Sequence, residues 1–298
     1  KALDNLQAPA SALNRSEPRK QELETLVSLY HQGRLKDVIN NGKALIKRHP
    51  YSHFLFNIVG AANGGLDQFE DAEGYFRRAS QLEPDYADSH NNLGNVLKEQ
   101  NKLEEAEYSY RTALGLDPRF AEAHYNLGIV LDRQGELEEA EDCYNRALQI
   151  APAYAQAHNQ LGILRLAQRR YEEAIECFKR ALRIEPNLTE AYNNTGNAFL
   201  ALEDCNAAVS SFAQALKVDP NFIEARLNLG HGLRKLGRTR QAADQFVIAA
   251  DMEPDNADAR SNLGNLLNLM GEHEAAIENL LHALKLQCND IGAKIDLA

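Results

Sequence analysis

The chain has no tryptophan, two methionines and four cysteines in 298 residues, and each scarcity excludes something. Four thiols are too few for a disulfide framework in a chain of this length. Cys143 and Cys177 lie 34 residues apart. They hold equivalent places on successive segments, where stacked helices are expected about 8 to 10 Å apart, whereas a disulfide needs Cα atoms within about 7 Å. Free thiols and a reducing, cytoplasmic setting are therefore expected. Two sequons, Asn14-Arg15-Ser16 and Asn187-Leu188-Thr189, point the other way, but such tripeptides arise often by chance. No apolar run approaches the roughly 20 residues that span a bilayer, and residues 1–18 lack the apolar segment of a secretory signal. Residue 1 is Lys, which leaves room for an upstream segment carrying a targeting signal. Basic residues are the scarcer charge, 32 against 43 acidic, for a net −11. That field repels phosphate backbones and anionic lipid surfaces, so neither nucleic acid nor membrane insertion is expected. Also missing are a Walker loop, a dinucleotide fingerprint, a paired-cysteine metal motif and a G-x-S-x-G elbow. No catalytic residue, metal or cofactor is expected from such a chain.

What is present is repetition. Gly60, Gly94, Gly128, Gly162, Gly196, Gly230 and Gly264 recur every 34 residues, in phase with Pro50, Pro84, Pro118, Pro152, Pro186, Pro220 and Pro254. Ala79, Ala113, Ala147, Ala181, Ala215, Ala249 and Ala283 form a third lattice. Phe76, Tyr110, Tyr144, Phe178, Phe212, Phe246 and Leu280 precede those alanines by three residues. A fixed period of this kind marks a solenoid, in which each unit buries its apolar face against its neighbours. One continuous array is the expectation.

Within the unit 87–120, apolar or small residues fall at Leu93, Gly94, Leu97, Leu103, Ala106, Tyr110, Ala113 and Leu114, the 3.6-residue spacing of two amphipathic helices. Asn101, and Gly135, Gly237 and Gly271 in other units, mark the turn between them. Proline near the unit's end stops the second helix. The pattern resembles the tetratricopeptide repeat, whose 34-residue helix-turn-helix carries L-G, Ala, Phe and Pro at these offsets. That resemblance implies an all-α fold, a right-handed α-solenoid. It covers units 53–86, 87–120, 121–154, 155–188, 189–222, 223–256 and 257–290, after a degenerate cap at 19–52 where Leu26 replaces Gly and Gly42 replaces the aromatic. A leader occupies 1–18. Cys288 stands where proline is expected, and residues 291–298 read as the start of a further helix or a capping helix. Arg165 on an apolar position reads as a snorkelling side chain, and Gly232 as a place where a first helix flexes.

The polar candidates are themselves periodic. His90, His124 and His158 share one unit position, but neighbouring helices cannot bring three imidazoles onto one ion, so they read as helix-packing residues. Glu104-Glu105, Glu138-Glu139 and Glu172-Glu173 open second helices, where the dipole favours negative charge. The lattice singled out for binding is Asn92, Asn126, Gln160, Asn194, Asn228 and Asn262, sixth in each unit, with Asn57, Asn91, Asn159 and Asn193 at the fifth position and Asn95, Asn197 and Asn265 at the ninth. A row of amides can donate to and accept from successive peptide groups of an extended chain. The alternative is that the asparagines bond neighbouring carbonyls of their own protein. Asp88, Glu122, Glu190, Glu224 and Asp258 add an acidic rim around Ile129, Ile163, Leu166 and Leu200, which favours basic and apolar side chains in a partner.

In tetratricopeptide superhelices the first helices line the inner groove. Runs such as Ala121-Glu122-Ala123-His124-Tyr125-Asn126-Leu127-Gly128 resemble the substrate-recognition arrays of O-linked N-acetylglucosamine transferases. Leu29-Tyr30-His31-Gln32-Gly33-Arg34 and Phe56-Asn57-Ile58-Val59-Gly60-Ala61-Ala62 resemble bacterial arrays that precede transferase, including sulfotransferase, domains. The function expected is a non-catalytic scaffold holding an extended peptide or protein partner, the recognition part of a longer protein. Two alternatives stand beside it: the N-terminal module of a glycosyl- or sulfotransferase, and a homo-oligomer stacking end to end through Leu23, Leu26, Val27 and Tyr30 at one end and Ile291, Ile295 and Leu297 at the other.

Overall fold

The computed structural model describes residues 18–296, with side chains to residue 286. The leader to residue 17, the Asn14 sequon, Leu297 and the side chains of Ile291 and Ile295 lie outside the described residues. Among the described residues there are sixteen α-helices and no strand, an all-α helical solenoid. The chain divides into two compact units, one ending at Pro152 and the other beginning at Ala153. The N-terminal unit contains α1 (Lys20–His31), α2 (Leu35–Arg48), α3 (His53–Gly64), α4 (Phe69–Leu82), α5 (Ala87–Glu99), α6 (Leu103–Leu116), α7 (Ala121–Gln134) and α8 (Leu137–Ile150). The C-terminal unit contains α9 (Ala155–Ala167), α10 (Tyr171–Ile184), α11 (Thr189–Ala201), α12 (Cys205–Val218), α13 (Ile223–Lys235), α14 (Thr239–Met252), α15 (Ala257–Leu269) and α16 (His273–Asp296). Odd-numbered helices are the first helices of the repeats and even-numbered ones the second. Each helix packs on its neighbours in sequence within its unit.

The turn inside each repeat is a left-handed residue. Gly33, Asp67, Asn101, Gly135, Arg169, Glu203, Gly237 and Gly271 all have positive φ, between 57° and 87°. The next N–H then reaches back to a carbonyl five residues earlier, as in Lys102 to Leu97 and Glu136 to Leu131, both 2.9 Å. This bond satisfies a carbonyl that the helix end would leave orphaned. Arg169 and Glu203 hold a conformation costing an L-residue roughly 1–2 kcal/mol, so the turn is imposed by the packing of the two helices rather than by glycine. Second helices stop because the residue before each proline is pushed out of the helical region: Asp117 before Pro118 has φ −129° and ψ 94°.

The packing rule of the repeat is visible at its glycine. A Cβ on Gly94, Gly128, Gly162 or Gly230 would stand within 2.6 Å of the ring of Tyr110, Tyr144, Phe178 or Phe246, and Leu280 fills the same place against Gly264. Each ring is almost fully buried between alanines that are wholly buried, such as Ala106 with Ala113 and Ala174 with Ala181. In the degenerate first repeat the large and small partners are exchanged. Leu26 is 1% exposed, while Gly42 lies so close under Val59 that no Cβ fits.

Three local expectations change. Leu23, Leu26 and Val27 are not an exposed end: Leu26 is core and the other two pack against it, leaving Tyr30 at the surface. Gly232 does not loosen its helix. α13 runs through it, and a Cβ there would come within 3.0 Å of Val209 Cγ2, so this glycine is a close-packing residue. Residues 291–296 continue α16 rather than opening a new helix, since Cys288 leaves the backbone free where proline would have stopped it.

A buried amide hub beneath the candidate peptide-binding face

The fifth and sixth positions of the first helices are not equivalent. The fifth points between repeats and is buried: Asn91 and Asn193 are 1% exposed. In the N-terminal unit Asn91 donates from Nδ2 to Glu122 Oε1 at 3.1 Å and accepts at Oδ1 from Asn126 Nδ2 at 3.5 Å. The C-terminal unit repeats the arrangement more tightly. Asn193 donates to Glu224 Oε1 at 2.9 Å and accepts from Asn228 Nδ2 at 3.0 Å, and Asn159 accepts from Asn194 Nδ2 at 3.3 Å. Asn91 and Asn193 are thus hubs that each fix two side chains of the next repeat, and Asn159 fixes one. A primary amide offers two donors and two acceptor sites. A sixth-position asparagine with one N–H engaged keeps its other N–H and its carbonyl oxygen, both on an amide held in one orientation.

The expected binding residues therefore divide. Asn159 and Asn193 are buried and engaged with their own protein. Asn126 is 5% exposed, and Asn95 accepts from Tyr110 Oη at 2.7 Å, which fixes its carbonyl. Asn92, Gln160, Asn194, Asn228 and Asn262 are half-buried and keep accessible surface. Ile163 and Leu166 are half-buried against Ile175, Phe178 and Ala198, so they fill core and surface together. Glu122, Glu190 and Glu224 are exposed, and the first and last of these accept from hubs. The hub was written in the sequence as pairs 35 residues apart, Asn91 with Asn126, Asn159 with Asn194, Asn193 with Asn228, and 31 apart, Asn91 with Glu122 and Asn193 with Glu224. These pairs run diagonally across the lattice, from the fifth position of one repeat to the second and sixth of the next.

The other polar lattices have structural partners. His90 and His124 meet the carbonyls of Pro84 and Pro118 at 2.8 and 3.0 Å, and Arg226 donates to the Pro220 carbonyl. The fourth position thus latches the loop of the preceding repeat, whose carbonyl has no helical partner. No cluster of three or more His, Cys, Asp or Glu side chains able to hold a metal occurs among the described residues. The acidic pairs open α6, α8 and α10. Glu105 and Glu139 also clasp Arg77 and Arg111 of the preceding second helices at 2.7 and 2.8 Å. Exposed pairs of this kind contribute about 0–1 kcal/mol. Arg165 of α9 donates to Cys177 Sγ of α10 at 3.3 Å and lies 3.8 Å from the Glu173 carboxylate. Burial raises the Cys143 thiol to about 11 and raises that of Cys177 too, leaving both as inert packing groups. Burial, helped by Arg234 and opposed by Asp258, lowers the His231 pKa, and its ring lies 5.3 Å from that of Phe246. A cavity of ≈ 410 Å³ is lined by Arg77, His90, Leu93, Leu97, Glu105 and Tyr108, none of them in the amide lattice.

Comparison with known proteins follows the same repeat. Tetratricopeptide-repeat models match residues 75–108, 94–135, 119–187, 154–221 and 227–287. No curated protein sequence matches the chain significantly. A chain of the APC/C hetero-tetramer Cut9-Hcn1 is similar at 18% identity and TM-score 0.70 over 84% of this chain, which spans about half, 49%, of that one. Pseudomonas aeruginosa PilF is similar at 23% identity and TM-score 0.60, with 68% of this chain and 97% of that one covered. At these identities the two show the fold. YrrB, a TPR protein with an unusual peptide-binding site, is similar at 27% identity and TM-score 0.51, covering 62% of this chain and 95% of its own. With glycine under ring and proline after helix in the interior repeats, a left-handed turn in all eight, and repeat models matching along most of its length, this chain belongs to the tetratricopeptide-repeat family.

Proposed function

We propose that this protein-binding scaffold holds an extended peptide against the first helices of its C-terminal unit, with Asn194 and Asn228 as the principal contacts and Asn262, Gln160 and Leu166 beside them. The observation that carries the reading is the hub: Asn159 and Asn193 each take one N–H of the following amide, so Asn194 and Asn228 present one donor and one acceptor in fixed orientation. That pair matches the C=O and N–H of a peptide group in an extended strand. Asn126, 5% exposed, repeats the arrangement in the N-terminal unit with Asn91 as its hub. Exposed Glu190 and Glu224 favour basic side chains in the partner, and the half-buried Ile163, Leu166 and Leu200 favour apolar ones. The likeness to YrrB, whose peptide-binding site is known, supports the same class of partner.

A peptide selected from a random display library on the immobilised chain supplies the probe. Its affinity, measured by titration calorimetry, is expected to fall a few-fold in Asn194→Ala or Asn228→Ala, because each neutral hydrogen bond contributes about 0.5–1.5 kcal/mol. It should depend weakly on salt if the amides dominate and strongly if Glu190 and Glu224 do. Selected peptides that bind both variants as tightly as the parent would move the site elsewhere.

A further inference from the structure

Among the first helices of the C-terminal unit, α13 alone carries cations at its last two positions. α9 ends in Leu166 and Ala167, α11 in Leu200 and Ala201, and α15 in Asn268 and Leu269, whereas α13 ends in Arg234 and Lys235. Both are exposed, and among the described residues neither has an ion-pair or hydrogen-bond partner. Elsewhere exposed cations are held by carboxylates, as Arg77 is by Glu73 and Glu105, and Lys179 by Glu176. The sequence accounts for the difference: five basic residues and no acidic one stand between Glu224 and Asp244. Asp258 of α15, whose charge reaches His231, pairs with neither cation. The cations share a face with the proposed peptide contact. Asn228, His231 and Lys235 are spaced by three and four, one stripe of a helix. At about 1.5 Å per residue along α13, Glu224 stands about 6 Å to one side of Asn228 and Arg234 about 9 Å to the other.

We propose that Arg234 and Lys235 form a subsite for an acidic side chain, Asp or Glu, of the peptide held over Asn228. The subsite rests on the peptide-binding reading and adds a sequence requirement to it. Side chains of an extended strand point alternately to its two sides. Residues on one side of the peptide therefore meet Glu190 and Glu224 near the N-terminal ends of their helices, and residues on the other meet Arg234 and Lys235 at the C-terminal end of α13. A carboxylate placed there accepts charge-assisted hydrogen bonds and offsets the repulsion between two adjacent like charges. The neighbouring turns select a single carboxylate over a polyanion. Glu203 and Asp204 before α12, and Glu272 and Glu274 where α16 begins, are all exposed. They repel a phosphate backbone laid across these repeats.

The probe is the display-selected peptide with both termini blocked, so that only its side chains carry charge, titrated by calorimetry on the full chain. It is expected to contain an Asp or Glu whose change to Gln or Asn weakens binding to the parent roughly tenfold, the effect of losing a hydrogen bond between charged groups. Arg234→Glu combined with Lys235→Glu should weaken the acidic peptide at least as much, with unchanged helical circular dichroism, and should prefer the peptide carrying Lys in place of the acidic residue. A peptide that loses affinity in Asn194→Ala and Asn228→Ala but binds the charge-exchanged chain as tightly as the parent overturns the subsite and leaves the amide contacts standing. One that responds to the charge exchange but to neither asparagine change keeps the subsite and removes the amide contacts. Selected peptides without an acidic residue, or a charge-exchanged chain with no preference for the Lys peptide, also overturn the subsite. So does an oligothymidylate that binds the parent and is lost on the charge exchange while the peptide is not, which assigns the cations to nucleic acid.

Discussion

Two adjacent repeats of the C-terminal unit, 189–222 and 223–256, share their scaffold and differ in how they present amides. Both set an aromatic ring under a glycine, Phe212 on Gly196 and Phe246 on Gly230, and both bury alanines beside it. At the fifth position the first has Asn193, 1% exposed and bonded to both Glu224 and Asn228, whereas the second has Leu227, which packs against the core. Asn228 is therefore oriented from beneath, and Asn262 has no amide hub below it. The lesson is that helix pairing and amide presentation are specified by separate residues, so one can be broken without the other.

The largest effect should come from the shared scaffold. Gly196→Val and Gly230→Val each force a side chain into space held by a ring, and overpacking of this kind costs typically 1–3 kcal/mol or more. Denaturant unfolding should show similar losses for the two, because this part of the repeats is the same. The hub comes next. Asn193→Leu copies the second repeat into the first and removes a buried partner from Asn228 and Glu224, both of which reach solvent, so the loss is the net value of a hydrogen bond, about 0.5–1.5 kcal/mol for each. It should also weaken peptide binding although Asn193 itself is buried. Leu227→Asn, the reverse exchange, should tighten binding through Asn262, with calorimetry on the selected peptide as the readout.

Much of this was legible in the sequence because solenoid packing is local. Seven glycines, alanines and prolines in phase marked two helices for each repeat and the turn between them, since the packing residues meet the same kind of neighbour in successive copies. The left-handed turn was less legible: Arg169 and Glu203 adopt it without the usual residue type, because the flanking helices override local preference. The candidate site was half legible. Composition marked the amide-rich face, but only geometry separated buried Asn159 and Asn193 from accessible Asn194 and Asn228. One helical step of 100° turns a side chain from the surface into the joint between repeats.

The turn gives a smaller contrast between the same two repeats, Glu203 in one and Gly237 in the other, with φ 62° and 72°. Glu203→Gly relieves left-handed strain and should leave stability level or raise it by up to about 1 kcal/mol, whereas Gly237→Ala should lower it by about 1 kcal/mol. Thermal melts of the pair test the sign. The smallest effect concerns acid. Because burial holds the His231 pKa below its ordinary value of about 6.5, the unfolded chain takes up the proton first. Its contribution is constant above that value and turns destabilising as pH falls through it. His231→Gln should therefore flatten the stability profile between neutral pH and mildly acid pH, with no change on the alkaline side.

The most direct test combines Asn194→Ala, Asn228→Ala and Asn262→Ala in one chain and titrates it with the selected peptide, while circular dichroism and unfolding monitor the helices. Near-complete loss of binding by a folded array is expected, with a smaller loss in Asn193→Leu alone. Parent-like affinity in the folded triple variant would contradict the claim that these amides hold the peptide backbone.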